Sequence, residues 1–272
     1  MNAPDASAPE HQHTPGRLEA ALRRRRANGG KALVPYLTGG LGEWVPTGEA
    51  VAQAGADAIE IGVPFSDPVM DGPTIQAASD QALREGALPY EVIEAAGAAD
   101  VGIPLAVMTY YNLVFRPGVT RFAGELARAG IAGAILPDLP LDEAGPWIAA
   151  ADGAGVETVL LAAPTTPDER LQRIADRSRG FLYAVGLLGV TGERASLADS
   201  AKEIARRAKA ITDLPVLVGV GVSTPQQAVE VCEVADGVVV GSAFVRTVLE
   251  GGSPDQVAEQ VATFRDALDR GA

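Results

Sequence analysis

Eight short runs rich in Val, Ile, Leu and Ala alternate with longer amphipathic segments, and this alternation constrains the fold more than any other feature of the chain. The runs are ALVPYLTG (32–39), AIEIGVP (58–64), PLAVMTYY (104–111), GAILPD (133–138), ETVLLAA (157–163), FLYAVG (181–186), PVLVGVG (215–221) and GVVVGS (237–242). Between them TIQAASDQALREG (74–86), VTRFAGELARAG (119–130), PDERLQRIADRS (167–178) and DSAKEIARRAKAI (199–211) read as helices. Gly often ends such segments, as a C-cap should. Strand–helix alternation is the mark of a parallel sheet, and eight strands is a number that closes one on itself. The expected fold class is therefore α/β, a single (β/α)8 TIM barrel. An open doubly wound sheet is the competing architecture. Against it, LVGVGVST (217–224) lacks the third glycine of a dinucleotide fingerprint, and no Gly-x4-Gly-Lys-Ser/Thr phosphate loop occurs. The barrel domain is expected over 17–272, with 1–16, polar and rich in Pro and Ala, as a disordered leader.

Composition narrows the chemistry. A net charge of −13 offers no basic surface for a nucleic-acid backbone, so nucleic acid is not an expected partner. No run reaches the roughly 18 apolar residues that span a bilayer, and the N-terminus lacks the charged start and apolar stretch of a signal peptide. No membrane partner is expected, and the chain reads as cytoplasmic. The single cysteine, Cys232, cannot form an internal disulfide and reads as core. The only histidines, His11 and His13, lie in the leader, which argues against a histidine catalyst and against a zinc site of the usual ligands. Of the lysines, Lys31 precedes the first run while Lys202 and Lys209 fall in a helix, so none projects from a strand end to form a Schiff base. No metal and no cofactor are expected. Asp, Glu and Tyr remain for acid and base work.

Those residues concentrate in IEIGVPFSDPVMDGPT (59–74). Glu60 lies within the second strand. Either it points into the barrel mouth, as a partly buried acid of raised pKa able to exchange a proton, or it points outward and needs a cation that is not evident nearby. Asp71 follows on a loop stiffened by Pro64, Pro68 and Pro73. Asp67, in FSDP, suits a local turn or helix-capping role as well as a functional one. Glycines gather at three adjoining strand ends, in GVTG (189–192), GVGVS (219–223) and GSA (241–243). Each is an ordinary turn glycine alone, but together at the C-terminal ends of strands 6 to 8 they suit a phosphate held by backbone amides.

The segment EIGVPFSDPVMDGPTIQ (60–76) resembles the signature of the tryptophan synthase alpha subunit family. The likeness continues through YNLVF (111–115), LPDLPLDE (136–143), GVTG, GVGVSTPQQ (219–227) and GSAFVR (241–246). It implies a (β/α)8 barrel that cleaves indole-3-glycerol phosphate to indole and D-glyceraldehyde 3-phosphate without a cofactor. It also implies Glu60 and Asp71 as the catalytic acids. Tyr36, Met108, Tyr110, Leu161, Tyr183 and Thr191 would contact the substrate, and Gly192, Gly221, Gly241 and Ser242 its phosphate. The implied partner is a beta subunit, in an alpha2beta2 assembly. Two departures bear on that partner. GGLGEWVP (39–46) replaces the family's Gly-Asp-Pro turn in a stretch shorter by about three residues, and AVGLLGVTG (184–192) places Leu187 and Leu188 where many members carry an arginine. The first implies weakened docking; the second, a lid that closes in its own way. Pro64, Asp67, Phe115 and Pro140 still match other interface positions. Three readings stay open: an alpha subunit of the synthase, a free-standing indole-3-glycerol-phosphate lyase supplying specialised metabolism, and an inactive regulatory barrel.

Overall fold

The structure, a computed structural model, describes residues 14–99, 101–186, 197–219 and 221–271. Helix α1 (Arg17–Ala27) leads into β1 (Ala32–Thr38), followed by α2 (Trp44–Gln53), β2 (Ile59–Gly62), α3 (Pro73–Arg84), α4 (Pro89–Ala98) and β3 (Leu105–Met108). The chain continues through α5 (Tyr111–Phe115), α6 (Val119–Arg128), β4 (Gly133–Ile135), α7 (Gly145–Ala154), β5 (Glu157–Ala162), α8 (Asp168–Arg177) and β6 (Leu182–Val185). It ends with α9 (Leu197–Lys209), β7 (Val216–Gly219), α10 (Pro225–Cys232), β8 (Gly237–Val240), α11 (Ser242–Leu249) and α12 (Pro254–Gly271). All eight strands pair in parallel and in chain order, and β8 returns to β1 to close the barrel. The expected runs become strands, each shorter at its C-terminal end, where the chain leaves the ladder for a loop. The run at 133–138 is a strand only over Gly133–Ile135, because Pro137 beyond it has no N–H to donate.

Alternation along the strands sorts side chains into two layers. Leu33 and Leu37 of β1 and Ile59 and Ile61 of β2 join the large cluster that the helices cover. Ala32, Val34, Ala106, Ile135, Val159, Tyr183, Leu217 and Val239, one or more from each strand except β2, meet in a second cluster inside the barrel, which Ala58 joins just ahead of β2. Leu18 and Leu22 of α1 belong to that inner cluster and plug the N-terminal end of the barrel. The helix is held there by Glu157 at the start of β5, whose carboxylate accepts the Leu18 and Glu19 amides at 2.8 and 3.0 Å, two of the donors a helix N-terminus leaves free.

The lysines lie away from the barrel mouth. Lys31 donates to the Ala235 carbonyl at 3.0 Å and Lys209 to Asp236 at 2.8 Å, while Lys202 bridges Glu230 and Glu233 between α9 and α10. Cys232 is buried in the outer cluster, and burial pushes its thiol up to about 12. Among the described residues no helix is long and apolar enough to cross a membrane. With the N-terminal end plugged by α1, the C-terminal ends of the strands are where a barrel of this kind builds its site.

Candidate active site

Glu60 points into the barrel. Its neighbours Ile59 and Ile61 face the helices, so the pleat turns Glu60 inward, between Tyr36 of β1 and Ala106 of β3. It is more enclosed than the sequence suggested, at 1% exposure, and its Oε2 has no hydrogen-bond partner among the described residues. Burial, reinforced by the charge of Asp71, pushes its carboxyl up to about 8. At neutral pH this acid holds its proton.

Asp71 reaches the same space from the loop between β2 and α3. Its amide donates to the Pro68 carbonyl at 3.0 Å, and Gln76 of α3 donates Nε2 to the Asp71 carbonyl at 2.8 Å. Its Oδ2 accepts the Tyr110 hydroxyl at 3.0 Å. Burial raises Asp71 to about 6 against the opposing effect of that bond, so it is mostly ionised at neutral pH. Asp67 takes the local role: it is exposed, its Oδ2 accepts the Ser66 hydroxyl at 2.7 Å, and its carbonyl accepts the Val69 amide at 2.9 Å.

Two buried tyrosines flank the acids. Burial pushes both phenols well above the ordinary range, so Tyr36 and Tyr183 stay neutral. Each ring lies over a glycine of the neighbouring strand. A Cβ on Gly62 would stand 1.9 Å from the Tyr36 hydroxyl, and one on Gly219 would stand 2.2 Å from Tyr183 Cε2. Met108 pairs with Gly62 and Leu161 with Tyr183, and both are partly buried against the inner cluster. Tyr36, Glu60, Met108, Leu161 and Tyr183 therefore share one interior. Tyr110 closes on it from beyond β3.

Gly241 immediately precedes α11 and Ser242 begins it, so the first amides of that helix are free of intrahelical partners at the barrel mouth. A Cβ at Gly241 would press on Tyr36 Cβ at 3.3 Å. Gly221, beyond β7, has φ 87°, a left-handed conformation that favours glycine. Thr191, Gly192, Leu187 and Leu188 lie outside the described residues, as do residues 1–13 of the expected leader with His11 and His13.

Sequence reasoning missed Phe65, Asp138 and the roles of Gly62 and Gly219. Phe65 stacks on Tyr110 with ring centroids 5.0 Å apart, and Asp138 accepts the Tyr111 amide at 2.9 Å, capping α5. An aromatic residue inside a proline-rich loop was the available signal for Phe65; the contact of Asp138 spans 27 positions and leaves none.

A protein-family model described as "Tryptophan synthase alpha chain" matches residues 22–271. The chain is 45% identical over 259 residues to the tryptophan synthase alpha chain of Streptomyces avermitilis, covering 93% of this chain and 94% of that one. It is 46% identical over 235 residues to that of Methanosarcina mazei, covering 85% and 86%. Among solved structures, Mycobacterium tuberculosis tryptophan synthase superposes with a TM-score of 0.84 at 40% identity over 94% of this chain and 99% of that one. The Legionella pneumophila subsp. pneumophila alpha chain superposes with a TM-score of 0.83 at 31% identity, covering 94% and 98%.

Proposed function

Because the chain belongs to the tryptophan synthase alpha chain family, we propose that Glu60 and Asp71 divide between them the work of its reaction. It is a carbon–carbon lyase of tryptophan biosynthesis, cleaving indole-3-glycerol phosphate to indole and D-glyceraldehyde 3-phosphate. The observation that carries the assignment is geometric: Glu60, 1% exposed, faces the barrel interior between Tyr36 and Ala106, and Asp71 comes to the same interior from the loop after β2, held by the Tyr110 hydroxyl. Burial raises the first carboxyl to about 8 and the second to about 6, which suits an acid and a carboxylate at neutral pH.

Protonated Glu60 delivers its proton to indole C3, giving an indolenine cation whose charge sits on the ring nitrogen. The glutamate so formed takes the proton of the hydroxyl on the adjoining carbon. The O–H electrons become the carbonyl, the carbon–carbon bond breaks toward the ring, and Glu60 is left protonated as it began. Ionised Asp71 beside the ring N–H stabilises the cation by about 3 kcal/mol, as preorganised charge does in a water-poor site. Tyr36, Met108, Tyr110, Leu161, Tyr183 and Thr191 bound the substrate. The amides around Gly192, Gly221, Gly241 and Ser242 hold its phosphate, with the N-terminus of α11 behind them.

Chains of this family pair with a beta subunit. For this chain we propose weakened docking, on the ground that GGLGEWVP (39–46) departs from the Gly-Asp-Pro turn of the resembled family; within that turn Leu41, 2% exposed, packs in a cluster with Tyr36 and Ile75. Asp67, Phe115 and Pro140 remain exposed for contact, while Pro64 is buried. Leu187 and Leu188 would then supply a lid that closes on substrate alone. The location is the cytoplasm. Indole release by the chain alone, then titrated with its beta subunit, tests these readings together. Independence predicts a turnover on the order of 1 s⁻¹ that changes little on titration. A negligible rate that climbs steeply with the beta subunit refutes independence, and no indole under either condition refutes the assigned site.

A further inference from the structure

We propose that Tyr110 is a positioning residue that keeps Asp71 ionised and aimed, its hydroxyl forming the middle link of a chain from the exposed turn at Val69 and Met70 to the carboxylate. The inference rests on the reading of Asp71 as the group that stabilises the cation. The Met70 amide donates to the Tyr110 oxygen at 3.0 Å, and the same hydroxyl donates its hydrogen to Asp71 Oδ2 at 3.0 Å. An oxygen that accepts while it donates is the stronger donor, because the two bonds polarise each other.

The tyrosine is itself held. Phe65, from the same loop as Asp71, stacks on its ring at an interplanar angle of 20°. On the other side Asp138 grips the next amide, that of Tyr111, with both carboxylate oxygens at 2.9 and 3.1 Å. The loop and the end of β3 are thus locked through one side chain, 3% exposed. Its phenol is pushed above the ordinary range by burial and by Asp71, so it donates and does not ionise.

The groups facing Asp71 are Glu60 from β2, Tyr36 from β1, Tyr183 from β6 and Tyr110 itself, with Asp138 acting on Tyr110. All are acids or neutral phenols. The Tyr110 bond is what counters burial at Asp71. One end of the chain is open to solvent, with Val69 77% and Met70 58% exposed, so contact at that turn is felt at the carboxylate through a single hydroxyl.

The test is the pH–rate profile of indole release by Tyr110→Phe, which keeps the ring and its stack on Phe65. The acid limb of kcat, set by Asp71, is expected to move up by about one pH unit, as loss of a hydrogen bond to a charged group requires. At pH 6 the rate then falls about fivefold beyond any loss at the optimum. Binding of a non-cleavable indole alkyl phosphate at pH 8 should stay within about threefold, since the phenyl ring still fills its place. A tyrosine that merely fills space would leave the limb where it was, and that result overturns the proposal. An unmoved limb with turnover largely lost in Asp71→Asn refutes the Tyr110 assignment alone. Turnover retained in Asp71→Asn refutes the reading beneath it.

Discussion

Glu60→Gln is expected to abolish turnover and also to stabilise the fold, increasingly as the pH rises. In the folded chain burial and Asp71 hold the Glu60 carboxyl up to about 8, whereas an unfolded glutamate titrates at about 4.3. Between those values the native state keeps a proton that the unfolded chain has released, so stability falls as pH climbs through this window. Below it both states are protonated and the residue costs nothing; above it both are ionised and the cost is complete. At pH 7 the unfolded carboxyl stands about 2.7 pH units above its own pKa, worth about 4 kcal/mol against a total stability of about 5–15 kcal/mol. Glutamine keeps the shape of the protonated acid and has no proton to take up. Urea unfolding of both proteins at pH 5, 6, 7 and 8 is the assay. The variant should gain about 1 kcal/mol at pH 5 and about 4 kcal/mol by pH 7. Its indole release should vanish, with binding of a substrate analogue changed less than about tenfold, as for a group that acts in the transition state. A variant less stable than the parent at pH 8, or one whose gain is the same at every pH, refutes the proton-holding argument; retained turnover refutes the catalytic one.

Asp71→Asn should lose most activity, because a neutral amide does not offset the cation. Since the Asp71 charge helps raise Glu60, the residual rate should also show its basic limb displaced to lower pH; a near wild-type rate would move the role elsewhere. Gly241→Val should raise KM or destroy binding, both by crowding the amides at the start of α11 and by pressing on Tyr36, which a Cβ there already approaches to 3.3 Å. Equal binding of inorganic phosphate and glycerol phosphate by that variant and its parent would place the anion elsewhere.

Local chemistry wrote the barrel plainly: the eight apolar runs of the sequence contain the eight strands, and the four helices read from the sequence, α3, α6, α8 and α9, begin within a residue or two of where their amphipathic segments do. The acids were legible for the same reason, since a carboxylate in a buried run, followed by one on a proline-stiffened loop, has few uses except chemistry. Which way Glu60 points was not. A barrel strand is buried on both faces, so the alternation Ile59–Glu60–Ile61 separates the acid from its neighbours without saying which face is the interior; the pairing with Tyr36 and Ala106 decided that. The remaining decisions join residues far apart in the chain. Tyr110 meets Asp71 across 39 positions, Glu157 anchors α1 across 139, and Gly62 and Gly219 are glycines because tyrosines of adjoining strands lie over them. Periodicity and propensity act over a few residues, whereas the field and the space around a buried group are set by whatever the closed barrel brings beside it, and only tertiary structure carries that information.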